Sequence, residues 1–235
     1  MPIDLPAYPV CAGLFFRNEE LGRGRVAITV PPGGVDLMLN FVVGEYHEKY
    51  PDVSLSVLGS TDGVDQVLKG DADFGITMSP PPDDRLIAVP LYQDELVVVT
   101  AANQPEAQRS RIALEELRHM RMVMLTKDHE CRIRADSRCR ELGFSLEPHI
   151  ETTSLTSLLQ LVRRGAGATI QSRLPMEKLA APELAIIPLA MEKPKESVCL
   201  IYRKDKFISN AGRSFIRLLN EACRSLSHIR QSPGS

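Results

Sequence analysis

The sequence predicts an α/β protein with two lobes, in which each lobe is a mostly parallel sheet flanked by helices and two hinge strands join the lobes. Strand and helix patterns alternate over residues 25–77, and the same order recurs over residues 121–171. Such alternation is typical of parallel sheets with right-handed crossovers. A length of 235 residues, 43% of them hydrophobic, is sufficient for two modest lobes.

The first unit has the order strand, helix, strand, helix, strand. Its strands alternate or are β-branched, and its longer helix carries apolar residues at helical spacing. Thr61 is a candidate cap for the second helix, and Gly70 ends that helix. The five elements span residues 25–30, 35–50, 52–58, 61–70 and 73–77.

The second unit repeats this order without clear residue-by-residue identity to the first. Gly143 ends its first helix, and Pro148 interrupts its second strand, which favours an edge position for that strand. The five elements span residues 121–125, 130–143, 146–152, 154–164 and 167–171.

The stretch "LVRRGAGATI", Leu161 to Ile170, admits two interpretations. A phosphate-binding loop precedes its helix, so that free N–H groups meet the anion, whereas here the helix comes first. Thr153 or Ser154 is a suitable N-cap, and Gly165 falls at the C′ position, which often has a left-handed backbone. We therefore expect a helix stop that leads into a strand.

Two further segments connect the lobes. Residues 86–105 hold two apolar strands around a polar turn at Gln93 and Asp94, and residues 197–203 form another apolar strand before a helix at 209–227. If that late strand returns to the first lobe, two strands form the hinge. The expected division is residues 25–99 and 204–228 for lobe I, 100–203 for lobe II, 1–24 as a separate N-terminal segment and 229–235 as a tail.

Composition excludes several functional classes. The formal net charge of −2 does not suggest a nucleic-acid-binding surface. Five cysteines without a C-x-x-C pair fit reduced thiols and a cytoplasmic location better than a disulfide framework. We expect no membrane span, no secretion signal, no metal site and no cofactor, and no nucleophile–base pair indicates an enzyme.

A ligand is expected beyond the carboxyl ends of the strands, where open parallel sheets bind their ligands. Hydroxyls, glycines and helix N-termini at one cleft suit a small polar or anionic molecule. The alternative is that the Ser and Thr residues are only helix caps. The candidate effector-binding residues are Pro32, Gly33, Gly34, Ser60, Thr61, Thr77, Thr126, His129, Cys131, Arg132, Thr153 and Gln171.

Six stretches together resemble the effector-binding domain of LysR-type transcriptional regulators. They are "GRVAIT", "YHEKYPDVSLSVLGST", "VLKGDADFGI", "PLYQDELVVVTAANQP", "IALEELRHM" and "LQLVRRGAGATI", and their order holds from Gly24 to Leu219. The resemblance implies the two-lobed, type II periplasmic-binding-protein-like fold with a small-molecule cleft. It also implies a homodimer, with the helix near 36–49 of one chain beside the helix near 154–164 of its mate, and a tetramer as an option in a full-length protein.

The sequence departs from the family at several places. Asn40 stands where Pro is usual and Tyr46 where Phe is usual, which are packing changes. The family begins with a winged helix-turn-helix, whereas about two dozen residues precede the match here and show no recognition-helix pattern. This chain is therefore not expected to bind operator DNA by itself.

Cys131 lies in "MLTKDHECRIRAD", which resembles the segment that holds the reactive cysteine in the peroxide-sensing branch of the family. A helix N-terminus beside His129 and Arg132 would lower the pKa of its thiol. The branch's partner position is Ser145 here, and Cys139 is eight residues along the same helix, about 12 Å of rise, beyond the reach of a disulfide. We expect an accessible, cleft-lining Cys131 that alkylates faster than Cys199 and forms no bridge with Cys139.

Four arginines, Arg132, Arg134, Arg138 and Arg140, mix with acidic residues on several helix faces, which indicates a solvated surface. The favoured function is a non-catalytic effector-sensing domain whose ligand shifts the lobe arrangement. The alternatives are a stand-alone solute-binding protein, a redox-sensing domain that uses Cys131, and an enzyme on the same fold.

Overall fold

The computed structural model describes residues 24–31, 34–78, 80, 82–179, 181–190 and 197–228, with the backbone alone for 34–41 and 224–228. Most of the expected N-terminal segment, the tail, Pro32 and Gly33 lie outside the described residues. The strands are β1 (Gly24–Val30), β2 (Val53–Gly59), β3 (Phe74–Met78), β4 (Leu86–Gln93), β5 (Leu96–Ala101), β6 (Ile112–Ala113), β7 (Val123–Leu125), β8 (Ile150–Thr152), β9 (Thr169–Ser172), β10 (Leu184–Ala190) and β11 (Ser197–Arg203). The helices are α1 (Gly34–Lys49), α2 (Gly63–Lys69), α3 (Glu130–Glu141), α4 (Leu155–Arg163), α5 (Arg173–Leu179) and α6 (Asn210–His228).

The strands form a five-stranded sheet in the first lobe, and a four-stranded sheet with a two-stranded one beside it in the second. The first has the order β2-β1-β3-β11-β4, and β1 runs parallel to β2 and β3, whereas β11 runs antiparallel to β3 and β4. The second has the order β6-β10-β5-β9, and the parallel pair β7-β8 joins it through a bridge between Met122 and Ala168. The βαβ units are parallel as expected, and the strands that return between the lobes add the antiparallel pairs.

The sheet pairing moves the expected lobe boundaries. β5 pairs with β9 and β10 in the second sheet, so the boundary near residue 99 falls inside a strand of that sheet. β11 pairs with β3 and β4, so residues 197–203 belong to the first sheet rather than to the second lobe. The crossovers between the sheets are therefore the short β4–β5 connection and the segment between β10 and β11.

Local sequence signals explain both ends of α4. Ser154 is its N-cap, and its Oγ accepts a hydrogen bond from the Ser157 N–H at 3.2 Å. After the helix, Gly165 has a φ of 76°, and its N–H donates to the Val162 carbonyl. A Cβ on Gly167 would lie 2.5 Å from the Arg121 carbonyl oxygen. One glycine therefore turns the chain, and the other allows the backbone of β9 to approach its neighbour, as the helix-stop interpretation predicts for Gly165.

The start of α2 differs from the expectation. The helix begins at Gly63 with Asp62 in the N-cap position, and no side chain caps it, so Thr61 is not its cap. Instead, the Ser60 Oγ accepts the Asp62 N–H at 3.1 Å. The Ser60 N–H donates to the Val30 carbonyl at 2.8 Å, which brings the ends of β1 and β2 together.

The first lobe packs on an aromatic core. Tyr46 of α1 is fully buried, lies edge-on to Phe215 of α6 with 5.5 Å between ring centroids, and donates its hydroxyl to the Ala211 carbonyl at 2.8 Å. Leu174 of α5 is buried in the same apolar cluster, although α5 follows a strand of the second lobe. The contact of α5 with α1 therefore links the lobes. No helix in the described part of the chain is long and apolar enough to cross a membrane.

Candidate functional site

The N-terminus of α3 forms the centre of the candidate site in the second lobe. The Thr126 N–H, just after β7, donates to the Thr152 carbonyl at 3.2 Å, so the ends of β7 and β8 meet here. His129 occupies the N-cap position with an extended backbone, and only 6% of its surface is exposed. The first N–H groups of a helix have no partner within the helix, and they attract anions.

One buried polar atom at this helix end, the Nδ1 of His129, has no hydrogen-bond partner among the described residues. The Thr126 hydroxyl hydrogen-bonds to the Asp128 carboxylate, and this contact lowers the pKa of Asp128. Buried polar atoms are normally paired, because an unpaired group loses its interaction with water and gains nothing in exchange. The unpaired imidazole nitrogen of His129 therefore indicates a place where a further polar group can bind.

The prediction that Cys131 has an accessible thiol is wrong. Only 7% of its surface is exposed, against 5% for Cys199, and its Sγ lies 3.4 Å from the Ser172 Oγ. Burial, followed by the nearby charge of Asp94, raises the pKa of the Cys131 thiol, whereas the expected helix-end setting would have lowered it. Cys131 is therefore not expected to alkylate faster than Cys199.

Cys139 lies on the same unbroken helix as Cys131, and burial raises its pKa to about 12. A bridge between the two would require α3 to unwind, which agrees with the expectation from their spacing. Among the described residues, all four cysteines are buried as free thiols.

Asp94, which the sequence indicated as part of a polar turn, is completely buried between β4 and β5. Its Oδ2 accepts hydrogen bonds from Arg134 Nη1 at 2.5 Å and from Ser172 Oγ at 2.8 Å. Arg134 is buried too, so its expected place on a solvated surface was wrong. These contacts join residues 40 and 78 positions apart, and no local pattern could have indicated them.

Arg132 is also buried rather than solvated, and its charge is already engaged. Its Nε contacts both carboxylate oxygens of Asp136 at 2.9 Å, and its Nη1 donates to the Leu125 carbonyl and to Glu151 at 3.1 Å. These contacts direct the guanidinium to a groove of about 730 Å³ between α3 and residues 145–151. Only Arg138 and Arg140 of the four arginines keep substantial exposure.

Gln171 and Ser172 point to opposite faces of β9, because successive side chains of a strand alternate. Ser172 faces Cys131 on the α3 side, whereas Gln171 donates from Nε2 to the Thr169 Oγ1 at 3.2 Å within the strand. Gln171 is buried, and its Oε1 has no partner among the described residues. Ser172 is the residue of this strand that the sequence reasoning left out of the site.

The remaining predicted residues lie at other strand ends. Ser60 is half-buried and Thr61 exposed after β2, Thr77 is half-buried within β3, and Thr153 is exposed before α4. For Gly34, the structure gives the backbone, as the first residue of α1. The structure thus places Thr126 and His129 together at the N-terminus of α3, whereas the Arg132 guanidinium is engaged by Asp136, Glu151 and the Leu125 carbonyl. Within the described ranges, no group of three or more His, Cys, Asp or Glu residues is arranged to hold a metal ion.

Comparison with known proteins gives transcriptional regulators among the relatives of this chain. The chain is 25% identical over 199 residues to the uncharacterized HTH-type transcriptional regulator YbhD of Escherichia coli, an alignment that covers 84% of this chain and 63% of the relative. The chain thus spans less than two thirds of that regulator's length.

Two solved structures share the fold. An OxyR mutant of Corynebacterium glutamicum has a TM-score of 0.72 at 21% identity, with 88% of this chain and 66% of that chain covered. The regulatory domain of CcmR from Synechocystis PCC6803, in complex with 2-PG, has a TM-score of 0.72 at 22% identity, with 86% and 98% covered. The family described as the LysR substrate binding domain matches residues 19–224, and the chain belongs to that family.

Proposed function

We propose that this chain is the effector-sensing part of a LysR-type transcriptional regulator and that it binds a small polar or anionic molecule between its lobes. The observation that carries the proposal is the N-terminus of α3, where the buried Nδ1 of His129 has no partner among the described residues and the Thr126 hydroxyl contacts the Asp128 carboxylate. A helix end of this kind attracts an anion, and a neighbouring hydroxyl and imidazole add hydrogen bonds to it. The complex of CcmR with 2-PG gives a ligand-bound example of the fold.

The bound molecule would favour one arrangement of the lobes, because a ligand shifts an equilibrium toward the state that it binds better. α5 supports this transmission: it directly follows β9 of the second sheet, and its Leu174 packs in the core of the first lobe. The domain itself is proposed to be non-catalytic. A redox role for Cys131 is less well supported, because its thiol is buried and its pKa is raised mainly by burial.

A thermal-melting screen tests the ligand site. The probes are 2-PG, inorganic phosphate, sulfate and simple carboxylates, applied to the wild type, to Thr126→Val and to the matched control Thr153→Val. A ligand at 100 times its Kd stabilises the native state by about 2.7 kcal/mol. We expect this gain to fall in Thr126→Val and to persist in Thr153→Val, whose exposed side chain is outside the proposed contact. Equal stabilisation of all three proteins would contradict the site.

The chain is further proposed to form a homodimer, in which α1 of one protomer lies beside α4 of its partner. β2, the strand next in sequence to α1, supports an association surface on this side of the lobe. It is an edge strand without charged residues, with 37% of Val57 and 38% of Leu58 exposed. An edge strand without charged residues can pair with a strand of another chain or be covered by that chain. Sedimentation of Val57→Lys, with Ser110→Lys at an exposed residue outside β2, α1 and α4 as control, should show dissociation in the first variant alone.

A further inference from the structure

The β4–β5 connection is attached to the second lobe at two consecutive residues. Asp94 receives hydrogen bonds from Arg134 of α3 and from Ser172 of β9. Glu95 lies 3.4 Å from the Arg173 Nε, and its carbonyl accepts the Arg173 N–H at 2.8 Å. The crossover is therefore held by three elements of the second lobe, α3, β9 and α5, and the first of these carries the candidate site at its N-terminus.

The direction of the Ser172 hydrogen bond determines how Asp94 is connected to that site. A hydroxyl has one hydrogen to donate, and here it is donated to the Asp94 carboxylate. In its 3.4 Å contact with Cys131, the Ser172 oxygen is therefore left as the acceptor for the thiol proton. Cys131 belongs to the first turn of α3, so a change at this helix end reaches Asp94 through one hydroxyl.

We propose that Asp94 is a positioning residue that couples the N-terminus of α3 to the crossover between the two sheets, through the Ser172 hydroxyl and the Arg134 guanidinium. The proposal rests on the proposed function for the assignment of this helix end as a ligand site. Its test uses no effector, so the coupling can be refuted while the ligand site is upheld, and the ligand site can be refuted while the coupling is upheld.

Burial has the largest effect on the protonation of Cys131, and three residues from three elements act beside it: Ser172 on β9, Asp94 in the crossover and Arg134 on α3. Tyr92 on β4 also faces the thiol, and the negative charge of a Cys131 thiolate would raise the pKa of Tyr92. In Asp94→Asn the negative charge is lost, the positive charge of Arg134 stays, and Ser172 is released to donate to a thiolate. All three changes favour the thiolate, so the pKa of Cys131 should fall.

The measurement is a pH titration of the cysteine ¹³Cβ chemical shift, which reports protonation in the folded protein, with Cys131→Ser used for assignment. Asp94→Asn should move the titration midpoint of Cys131 to lower pH, with a rise of about tenfold in the ionisation constant of the thiol. Glu95→Gln is the matched control, because it removes the same charge one residue away, opposite Arg173 instead of Ser172. Its titration should superimpose on that of the wild type.

A double-mutant cycle with Ser172→Ala separates a relay from a simple effect of charge. If Ser172 carries the coupling, Asp94→Asn shifts the titration less in the Ser172→Ala background than in the wild type. An equal shift in both backgrounds, or an Asp94→Asn titration identical to that of Glu95→Gln, would overturn the proposal.

A second measurement is available if Asp94→Asn does not fold. Hydrogen exchange of the amides of residues 94–99 should accelerate in Cys131→Ala, which removes the donor to Ser172, and should return to the wild-type rate in Cys131→Ser, which restores one. Amides of β1 provide the internal reference. If Cys131→Ala leaves residues 94–99 unchanged relative to β1, the coupling to the crossover is refuted.

Discussion

Arg134→Met should destabilise the protein far more than the loss of an equally short ion pair at the surface. Arg134 and Asp94 are separated by 2.5 Å, and their side chains are 6% and 0% exposed. Arg109 and Glu116 are separated by the same 2.5 Å, but their side chains are 44% and 40% exposed. The comparison therefore holds the shortest N–O distance constant, while the burial of the two pairs differs greatly.

The expected loss of stability depends on how well water solvates the charged group that remains after its partner is removed. Removing one partner of a buried pair leaves an uncompensated charge and costs about 3–5 kcal/mol. An exposed pair is hydrated in either case, and its loss costs about 0.2–1 kcal/mol. Met keeps much of the volume of the arginine stem, so the cavity contribution is small.

Urea denaturation of the wild type, Arg134→Met and Arg109→Met measures both free energies of unfolding. The double variant Asp94→Leu/Arg134→Met should recover most of the loss, since an apolar pair leaves no buried charge unpaired. Equal destabilisation by Arg134→Met and Arg109→Met would refute the reasoning. A double variant less stable than Arg134→Met would refute it as well.

Three further predictions concern packing, thiols and DNA. Gly167→Ala should destabilise the protein by about 1–3 kcal/mol, the cost of forcing an extra methyl group into a packed site, because its Cβ would meet the Arg121 carbonyl. Gly44→Ala has open space around it and should stabilise α1 by about 0.5–1 kcal/mol. Equal urea midpoints for the two variants would contradict this prediction. Peroxide treatment of the folded protein should give no Cys131–Cys139 disulfide, and a high yield of that peptide pair by mass spectrometry would revive a redox role. The purified chain should show no sequence-selective shift of duplex DNA in a gel, because no basic surface is indicated by its net charge of −2.

Local sequence signals were sufficient to predict the two ends of α4, because each end depends on short-range hydrogen bonds. The N-cap at Ser154 and the left-handed Gly165 depend on residues within one turn, and both are confirmed. The return of residues 197–203 to the first sheet was left open, because pairing between distant strands has no local signature. α5 begins directly after β9 with Pro175 in its first turn, where a missing N–H costs nothing, and it was not recognised.

The sequence predicted the positions of strand and helix ends around the candidate site, but it did not predict the contacts of the side chains there. Strand ends and the N-terminus of α3 follow from the order of the elements, and these placed Thr126 and His129 correctly at one helix end. The direction of Arg132 depends on Glu151 and on the Leu125 carbonyl, and the burial of Cys131 depends on Ser172. Such contacts arise only when separate elements pack, so the sequence pattern does not contain them.

A crystal structure of the chain with the most stabilising compound of the melting screen tests the central claim most directly. The account predicts that a polar or anionic group of the compound lies at the N-terminus of α3, within hydrogen-bond distance of Thr126 and His129. A compound bound instead in the groove beside Arg132, between α3 and residues 145–151, with the α3 N-terminus unliganded, would contradict it.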